Sequence, residues 1–310
     1  MKFPAPLPVI EIAEKYNARL LGNPENAATG INEIHKVKPG DITFSDVEKY
    51  FKKSLESPAT IILLNKAVPV PSGKTVLVCE NPFAVYNDLI LQHRPLHPLK
   101  EKISPQAKVH PTAVIEPGVI LAHNVEIGAN CHIQAGAIIH EYSYLGENVN
   151  IQSGAVIGTD AFYYKKTDGA FQKWRSGGRV IIEDNVEIGA CCTVNKGVSG
   201  DTVIGAGTKL DCQVHIGHGA VIGKNCLLAG QVGVGGKTVV GDNVIMYGQV
   251  GVAQNLRIGD GVIILAKSGV SKNLEAGKTY FGYPAGEVRT KYKELAAMRH
   301  LPEFFKKFYK

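Results

Sequence analysis

The sequence predicts a mainly β protein: a parallel β-helix built from hexapeptide repeats, with a small α/β domain before it and a helical tail after it. Three observations predict this fold class. An aliphatic residue returns at every sixth position through most of residues 103–270. Glycine accounts for 34 of the 310 residues, well above average usage. Residues 1–100 show neither feature, and a spacing of six does not match the 3.6-residue period of an α-helix.

Residues 1–100 are predicted to form the α/β domain. Helical periodicity predicts helices near 10–16, 47–55 and 82–93, and apolar runs predict strands near 18–21, 31–37, 42–44, 60–64 and 75–79. The segment HRPLHPLKEKISP, which contains several Pro and His residues, marks the end of this domain.

Residues 101–280 carry the repeat and are predicted to form the β-helix. The anchors run at intervals of six from Ile103 to Ile157 and, after an interruption, from Ile204 to Val270. A short strand cannot bury its own apolar face, so each anchor must point into a narrow prism and stack on anchors about 4.8 Å away in the neighbouring coils. The anchors suffice for about eight coils of three strands.

Two segments outside the regular repeat are candidates for binding. The insertion at 159–179 contains Trp174 among aromatic and basic residues, so we expect an external loop that contacts a ligand or partner, the alternative being a plain surface loop. In the shorter interruption at 195–203 the six-residue repeat shifts by four residues, and this segment is interpreted as a corner loop. The tail at 281–310 is predicted to be helical, and residues 286–310 hold seven Lys or Arg against three Glu. This charge suits an acidic partner or a solvated helix face, but not a nucleic-acid-binding protein.

Cysteine usage and apolar runs bear on where the protein works. The six cysteines form no CxxC pair, and Cys131, Cys192 and Cys226 fall on a small-residue position of the repeat, which favours buried, reduced thiols. The N-terminus MKFPAPLPVI lacks the layout of a signal peptide, and no apolar run reaches the roughly 18 residues that span a bilayer. We therefore expect a cytoplasmic protein without a transmembrane segment.

Histidines supply the candidate chemistry. His215 and His218 lie three residues apart in KLDCQVHIGHG, with Asp211 nearby as an orienting carboxylate. Because one coil takes eighteen residues, the residue stacked over His218 is Gly236. An imidazole base beside a glycine N–H is the arrangement that acyl transfer requires. The alternative is a pair of surface histidines at the corners of the prism.

Four motifs along the chain resemble those of one enzyme family. They are PGDITFSDVEKY, RVIIEDNVEIGACCTVNKG, KLDCQVHIGHGAVIG and GYPAGEVRTKYKELAAMRHLPE. The family is the UDP-3-O-(3-hydroxyacyl)glucosamine N-acyltransferases of lipid A biosynthesis, within the hexapeptide-repeat acyltransferase superfamily. The resemblance implies a left-handed parallel β-helix and a homotrimer with active sites between subunits.

The resemblance also implies roles for individual residues. His218 would take the proton of the 2-amino group of UDP-3-O-acyl-glucosamine as it attacks a thioester, and the Gly236 N–H would stabilise the oxyanion. The acyl or 3-hydroxyacyl chain would arrive on the phosphopantetheine of acyl carrier protein, so no cofactor is expected on this chain. Phe44 and Tyr50 would hold the uracil in the domain at 1–100. The candidates for docking the acidic carrier protein are Arg289, Lys291, Lys293 and Arg299.

The sequence departs from the family motifs near the base. Cys212 and Asn255 stand where the family usually has asparagine and histidine, and His215 replaces the usual glutamine. Asn255 can donate a hydrogen bond but cannot carry a proton; His215, Asn255 and Trp174 are predicted to contact substrate. Two alternatives follow: a divergent paralogue that acylates another nucleotide sugar from acyl carrier protein or acyl-CoA, and a non-catalytic nucleotide-sugar-binding scaffold. The histidines of the first coils do not stack at the coil period, so no metal site is predicted.

Overall fold

The computed structural model describes residues 1–167 and 169–308 and divides the chain into two compact units. The first unit comprises Met1–Pro98, Asp160–Arg179 and Lys196–Asp201. The second comprises Leu99–Thr159, Val180–Asn195 and the chain from Thr202 onward. The insertion and the segment after Asn195 therefore pack within the first unit, whereas the sequence interpretation made them loops of the β-helix.

The first unit is built on a six-stranded sheet. Its strands are β1 (Lys2–Pro8), β2 (Arg19–Gly22), β3 (Ala27–Ile31), β4 (Asp41–Ser45), β5 (Ile61–Leu64) and β6 (Thr75–Val78). Strands β3 to β6 run parallel, and β1 and β2 close the two edges as antiparallel strands. The helices are α1 (Val9–Lys15), α2 (Phe51–Glu56) and α3 (Pro82–His93), with a 3-10 turn at Glu48–Tyr50.

Two strands of this unit differ from the sequence prediction. The strand predicted at 31–37 was wrong, since β3 lies at Ala27–Ile31 and the chain after it turns toward β4. Strand β1 was not predicted, because its three prolines argue against a strand. An edge strand tolerates proline because half of its backbone groups face away from the sheet, and the pairing of β1 with β3 is irregular between Lys2 and Leu7.

The insertion forms a hairpin within the first unit. Tyr164–Thr167 pairs antiparallel with Ala170–Lys173. Trp174 follows the second strand and packs against the core of this unit together with Phe44.

The second unit is a prism of three sheets with eight, ten and eight strands. The first sheet contains Lys108–Val109, Glu126–Ile127, Tyr144–Leu145, Val180–Ile182, Thr202–Ile204, Val221–Ile222, Val239–Val240 and Arg257–Ile258. The second contains Val114–Ile115, His132–Ile133, Asn150–Ile151, Glu187–Ile188, Lys209–Leu210, Leu227–Leu228, Ile245–Met246, Ile263–Ile264, Thr279–Phe281 and Gly286–Glu287. The third contains Ile120–Leu121, Ile138–Ile139, Val156–Thr159, Thr193–Asn195, His215–Ile216, Gly233–Val234, Gly251–Val252 and Gly269–Val270.

The pairing within these sheets confirms the predicted repeat and the parallel β-helix. The strands of successive coils pair in parallel, so Ile216 stacks between Val194 and Val234. The exception is the last strand of the second sheet, Gly286–Glu287, which pairs antiparallel with Thr279–Phe281.

From Leu121 onward the anchors point inward and are buried, as Leu121 and Leu228 show at 0% exposure. At the open end of the prism Ile103 is 44% exposed, and Val109 and Ile115 are only partly buried. Many corners turn through residues with positive φ, several of which are asparagine, the side chain that tolerates this conformation best after glycine.

The cysteines on the small-residue position are buried, as predicted. The thiols of Cys131, Cys192 and Cys226 donate to the backbone carbonyls of Gly146, Asp211 and Gly241. Burial raises the pKa of the Cys192 thiol to about 11 and also raises that of the other two. These thiols therefore fill the prism and stay protonated at neutral pH.

The tail forms helix α4 (Val288–Phe308), which confirms the predicted helix. The helix buries none of its residues within the chain. Over residues 1–167 and 169–308, no helix is long and apolar enough to cross a membrane.

Candidate active site

His218 lies at the corner that follows strand His215–Ile216 and is only 6% exposed. The coil above stacks on it in the predicted register, since the Lys237 N–H donates to the His218 carbonyl at 2.8 Å. Gly236 lies directly over the imidazole: a Cβ at position 236 would be 2.7 Å from Nε2 and 2.8 Å from Cδ2. Only glycine leaves room for the ring, so the position of the His218 imidazole requires glycine at 236.

The backbone of Gly236 presents a hydrogen-bond donor beside this ring. Its carbonyl accepts from the Asn255 N–H at 3.0 Å, whereas its own N–H makes no hydrogen bond within the described residues. A buried imidazole and an adjacent N–H donor are the two groups that acyl transfer needs, one to accept a proton and one to stabilise an oxyanion.

His215 points outward from its strand and is exposed. Its Nδ1 shares a hydrogen bond of 2.7 Å with Oγ1 of Thr193, one coil below. Partial desolvation lowers the pKa of the imidazole, so His215 is neutral at pH 7. Thr193 was not predicted, because four extra residues make this coil 22 residues long instead of 18.

Asp211 does not reach His218, and the predicted orienting role was wrong. The two residues lie at successive corners, because seven residues span a little more than one side of the prism. The Asp211 carboxylate instead accepts from the Cys212 N–H at 2.7 Å. The carboxylate therefore stabilises the backbone of its own turn and does not orient the imidazole.

Asn255 occupies a corner position with φ near +63° and is exposed. The equivalent residues one and two coils below, Lys237 and Gly219, share this conformation. The positive φ of this turn explains why asparagine, which tolerates that conformation, can stand at position 255. Contact between the Asn255 side chain and substrate stays a prediction.

The first unit holds the other predicted binding residues. Phe44 is the next-to-last residue of β4, and its ring centroid lies 5.0 Å from that of Trp174 and 4.9 Å from that of Tyr86. Nε1 of Trp174 is buried and meets no hydrogen-bond partner within the described residues. The Tyr50 ring is 48% exposed, with Nζ of Lys49 4.8 Å from its centroid. Tyr50 thus offers an open aromatic face, while Phe44 and Trp174 make the contacts of core residues.

The basic residues predicted for docking lie on α4. Arg289, Lys293 and Arg299 are exposed, and Lys291 is half-buried with its Nζ 2.8 Å from a Glu294 carboxylate oxygen. Within residues 1–167 and 169–308, no group of three or more His, Cys, Asp or Glu side chains is arranged to hold a metal ion.

Comparison with known proteins shows which family this chain resembles. Residues 28–91 match the family UDP-3-O-(3-hydroxymyristoyl) glucosamine N-acyltransferase, LpxD, and residues 106–141 and 201–236 match bacterial transferase hexapeptide repeats. A UDP-3-O-acylglucosamine N-acyltransferase from Anaeromyxobacter sp. (strain Fw109-5) is 32% identical over 239 residues, which cover 67% of this chain and 68% of that protein. The chain belongs to the UDP-3-O-acylglucosamine N-acyltransferase family.

Two further proteins are similar to this chain, one in sequence and one in structure. UDP-3-O-acylglucosamine N-acyltransferase 1 of Legionella pneumophila (strain Paris) is 32% identical over 238 residues, covering 67% of this chain and 66% of the Legionella protein. The crystal structure of a UDP-N-acetylglucosamine acyltransferase from Bacteroides fragilis aligns with a TM-score of 0.51 at 29% identity, covering 59% of this chain and 72% of the other. The family match at 28–91 contains Phe44 and Tyr50, and the second repeat match contains His218 and Gly236.

Proposed function

We propose that this protein is an N-acyltransferase of lipid A biosynthesis. It moves an acyl or 3-hydroxyacyl chain from the phosphopantetheine of acyl carrier protein to the 2-amino group of UDP-3-O-acyl-glucosamine. The observation that carries the proposal is the buried His218 imidazole packed against Gly236, within a chain of this family.

The chemistry follows from these two groups. The neutral amine attacks the thioester carbonyl, forming the C–N bond, while His218 accepts the proton that the nitrogen loses. The negative charge that develops on the carbonyl oxygen is stabilised by the Gly236 N–H. Collapse of the tetrahedral intermediate breaks the C–S bond, and protonated His218 returns its proton to the leaving thiolate. The products are the amide and free phosphopantetheine thiol.

The first unit supplies the binding site for the nucleotide. The exposed Tyr50 ring stacks on the uracil, and Phe44 completes the aromatic surface from β4. Trp174, which is partly buried, supports this surface through its ring contact with Phe44.

Helix α4 supplies the docking surface for the donor. Residues Val288–Phe308 include six Lys or Arg residues and only two Glu residues, so the helix carries a net positive charge. Acyl carrier protein is acidic, so this surface attracts it over long range and speeds the encounter. Lys293 and Arg299 are exposed and free of carboxylate contacts within the described residues.

The active unit is a homotrimer. In the first sheet of the prism, the outward positions of four successive coils are aliphatic: Ile181, Val203, Val221 and Val239. A sheet that faced water on this side would carry polar residues there. A continuous aliphatic column of this kind fits a symmetric contact between copies of the chain.

The protein acts in the cytoplasm. All six cysteines are free, and two of them, Cys191 and Cys212, are exposed. Exposed free thiols suit a reducing compartment.

The test is an acyl-transfer assay read by mass spectrometry, with UDP-3-O-acyl-glucosamine and a series of 3-hydroxyacyl carrier proteins. Wild-type protein should add one amide-linked chain to the acceptor. His218→Ala should abolish the product while retaining UDP-sugar binding, because it removes the base and leaves the first unit unchanged. His110→Ala, which removes an exposed histidine of the first coils, is the matched control and should keep close to wild-type activity. Full activity of His218→Ala would refute the proposed role of this histidine.

A further inference from the structure

We infer that Thr202 is a positioning residue for His218, because its buried hydroxyl fixes the turn that carries the imidazole. Thr202 begins the strand Thr202–Ile204 in the first sheet of the prism and is 0% exposed. Its Oγ1 accepts a hydrogen bond of 2.8 Å from the N–H of Gly219, the residue after His218. The inference rests on the proposed function, in which His218 accepts the proton of the amine.

This hydrogen bond acts on the peptide unit that joins His218 to Gly219. The carbonyl of that unit accepts from the Lys237 N–H at 2.8 Å, and its N–H donates to Thr202. Since a peptide unit is planar and rigid, two hydrogen bonds at its opposite ends fix its orientation. The backbone at His218 is fixed with it, and so is the direction in which the imidazole leaves the chain.

Thr202 supplies the hydrogen-bond acceptor for the Gly219 N–H. Gly219 is buried and has φ near +65°, a conformation that the corner requires. An N–H buried there without an acceptor is costly, so the peptide unit would rotate to find one. Rotation would displace the His218 ring from Gly236, where a Cβ would already lie only 2.7 Å from Nε2.

Thr208 provides a matched control at another corner of the same prism. It is also 0% exposed, and its Oγ1 accepts from the Cys226 N–H at 3.0 Å and donates to the Gly223 carbonyl at 2.8 Å. No candidate site residue lies at that corner. Thr202→Val and Thr208→Val thus remove the same kind of buried hydroxyl, but only the first acts on the turn of His218.

The experiment measures kcat, KM and the pH profile of kcat/KM for Thr202→Val, Thr202→Ser and Thr208→Val in the full chain. Thr202→Val should lower kcat by about tenfold to a hundredfold, as expected for a misplaced catalytic group, with KM changed less than about twofold. Its pH profile should also shift. Thr202→Ser should restore wild-type behaviour, and Thr208→Val should lose comparable thermal stability while keeping wild-type kcat.

A second measurement is independent of turnover. The His218 ring is labelled with 13C at Cε1, assigned by its absence in His218→Ala, and titrated by NMR. Its titration should change in Thr202→Val and remain unchanged in Thr208→Val. If the Val variant does not fold, Thr202→Cys, which has a weaker acceptor of similar volume, takes its place.

Wild-type kcat, pH profile and titration in Thr202→Val would overturn the inference. Wild-type protein that transfers no acyl chain would refute the proposed function instead. In that case the NMR titration still decides whether Thr202 sets the environment of His218, so the two failures are distinguishable.

Discussion

At the scale of single residues, Gly236 is the position where the fold and the chemistry constrain each other most. A methyl group there would meet the imidazole of His218 at 2.7 to 3.0 Å, closer than real Cβ contacts allow. We expect Gly236→Ala to push the ring aside and to lower kcat by about a hundredfold, because small displacements of a catalytic group are that costly. The acyl-transfer assay measures this effect.

Gly251 provides the control for this substitution. It lies one coil above Gly233 on the outside of the third sheet, and a Cβ there would meet nothing within 4 Å. Gly251→Ala should therefore leave both folding and kcat close to wild type. Equal activity of the Gly236→Ala and Gly251→Ala variants would contradict the packing of Gly236 on the imidazole.

The cysteines give a second prediction at this scale, on pH. Burial raises the pKa of Cys79 and of Cys192 to about 11, whereas unfolded thiols ionise near pH 8.5. Above about pH 8.5 the unfolded chain therefore binds fewer protons than the folded chain, and the free energy of unfolding falls as the pH rises toward 11. Urea unfolding at pH 8 and pH 10 should show a lower midpoint at pH 10.

The same thiols can be counted chemically. In native protein, a thiol-specific reagent should label the exposed Cys191 and Cys212 quickly and the four buried cysteines only after unfolding. Cys192→Ala should weaken the loss of stability between pH 8 and pH 10. Rapid labelling of all six thiols in native protein would contradict the core positions of Cys131, Cys192 and Cys226.

These residues also show what the sequence can and cannot reveal. Cys192 and Gly236 were predictable because they follow the strict period of the prism, which fixes inward positions and vertical neighbours. Asp211 was misassigned because nearness in sequence does not mean nearness across a corner of the prism. Thr193 was missed because the slip of four residues displaces the register by an amount that only the pairing of strands shows.

At the scale of elements, each two-residue strand is stabilised by its inward anchor. Leu228 is 0% exposed and Leu227, its neighbour in the same strand, is 48% exposed. We expect Leu228→Ala to lower the free energy of unfolding by about 2–5 kcal/mol through lost burial and the cavity left behind. Leu227→Ala should cost less than about 1 kcal/mol. Urea denaturation of the two variants compares them directly, and equal losses would contradict the inward and outward assignment.

The elements of the first unit were less predictable than the coils. Its helices and most of its strands follow from apolar periodicity, but β1 is rich in proline and its strand state depends on pairing with β3. The position of the hairpin at 164–173 likewise depends on contacts between residues that are far apart in the sequence. Lys165 pairs with Asp46, and Trp174 packs on Phe44. Local patterns indicated an insertion with aromatic and basic residues, but not the unit in which it packs.

At the scale of the whole molecule, the outward aliphatic column of the first sheet leads to a prediction about assembly. Val221 lies in the middle of this column, between Val203 and Val239. A lysine there would place a charge in the proposed contact between copies, where it would lose its hydration without gaining a partner. We expect light scattering to give the mass of a trimer, about 100 kDa, for the wild-type protein and the mass of a monomer for Val221→Lys.

The control places the same charge in the same column, below the aliphatic stretch. Glu126 faces outward two coils below Ile181, with its carboxylate 2.9 Å from Nζ of Lys108. Glu126→Lys loses only an exposed ion pair, which is worth less than about 1 kcal/mol, so it should remain a trimer. His218→Ala should remain trimeric too, since its ring lies at a corner and not in the column. A monomeric wild-type protein with full acyl-transfer activity would show that one chain forms the complete site, and the aliphatic column would then need another partner.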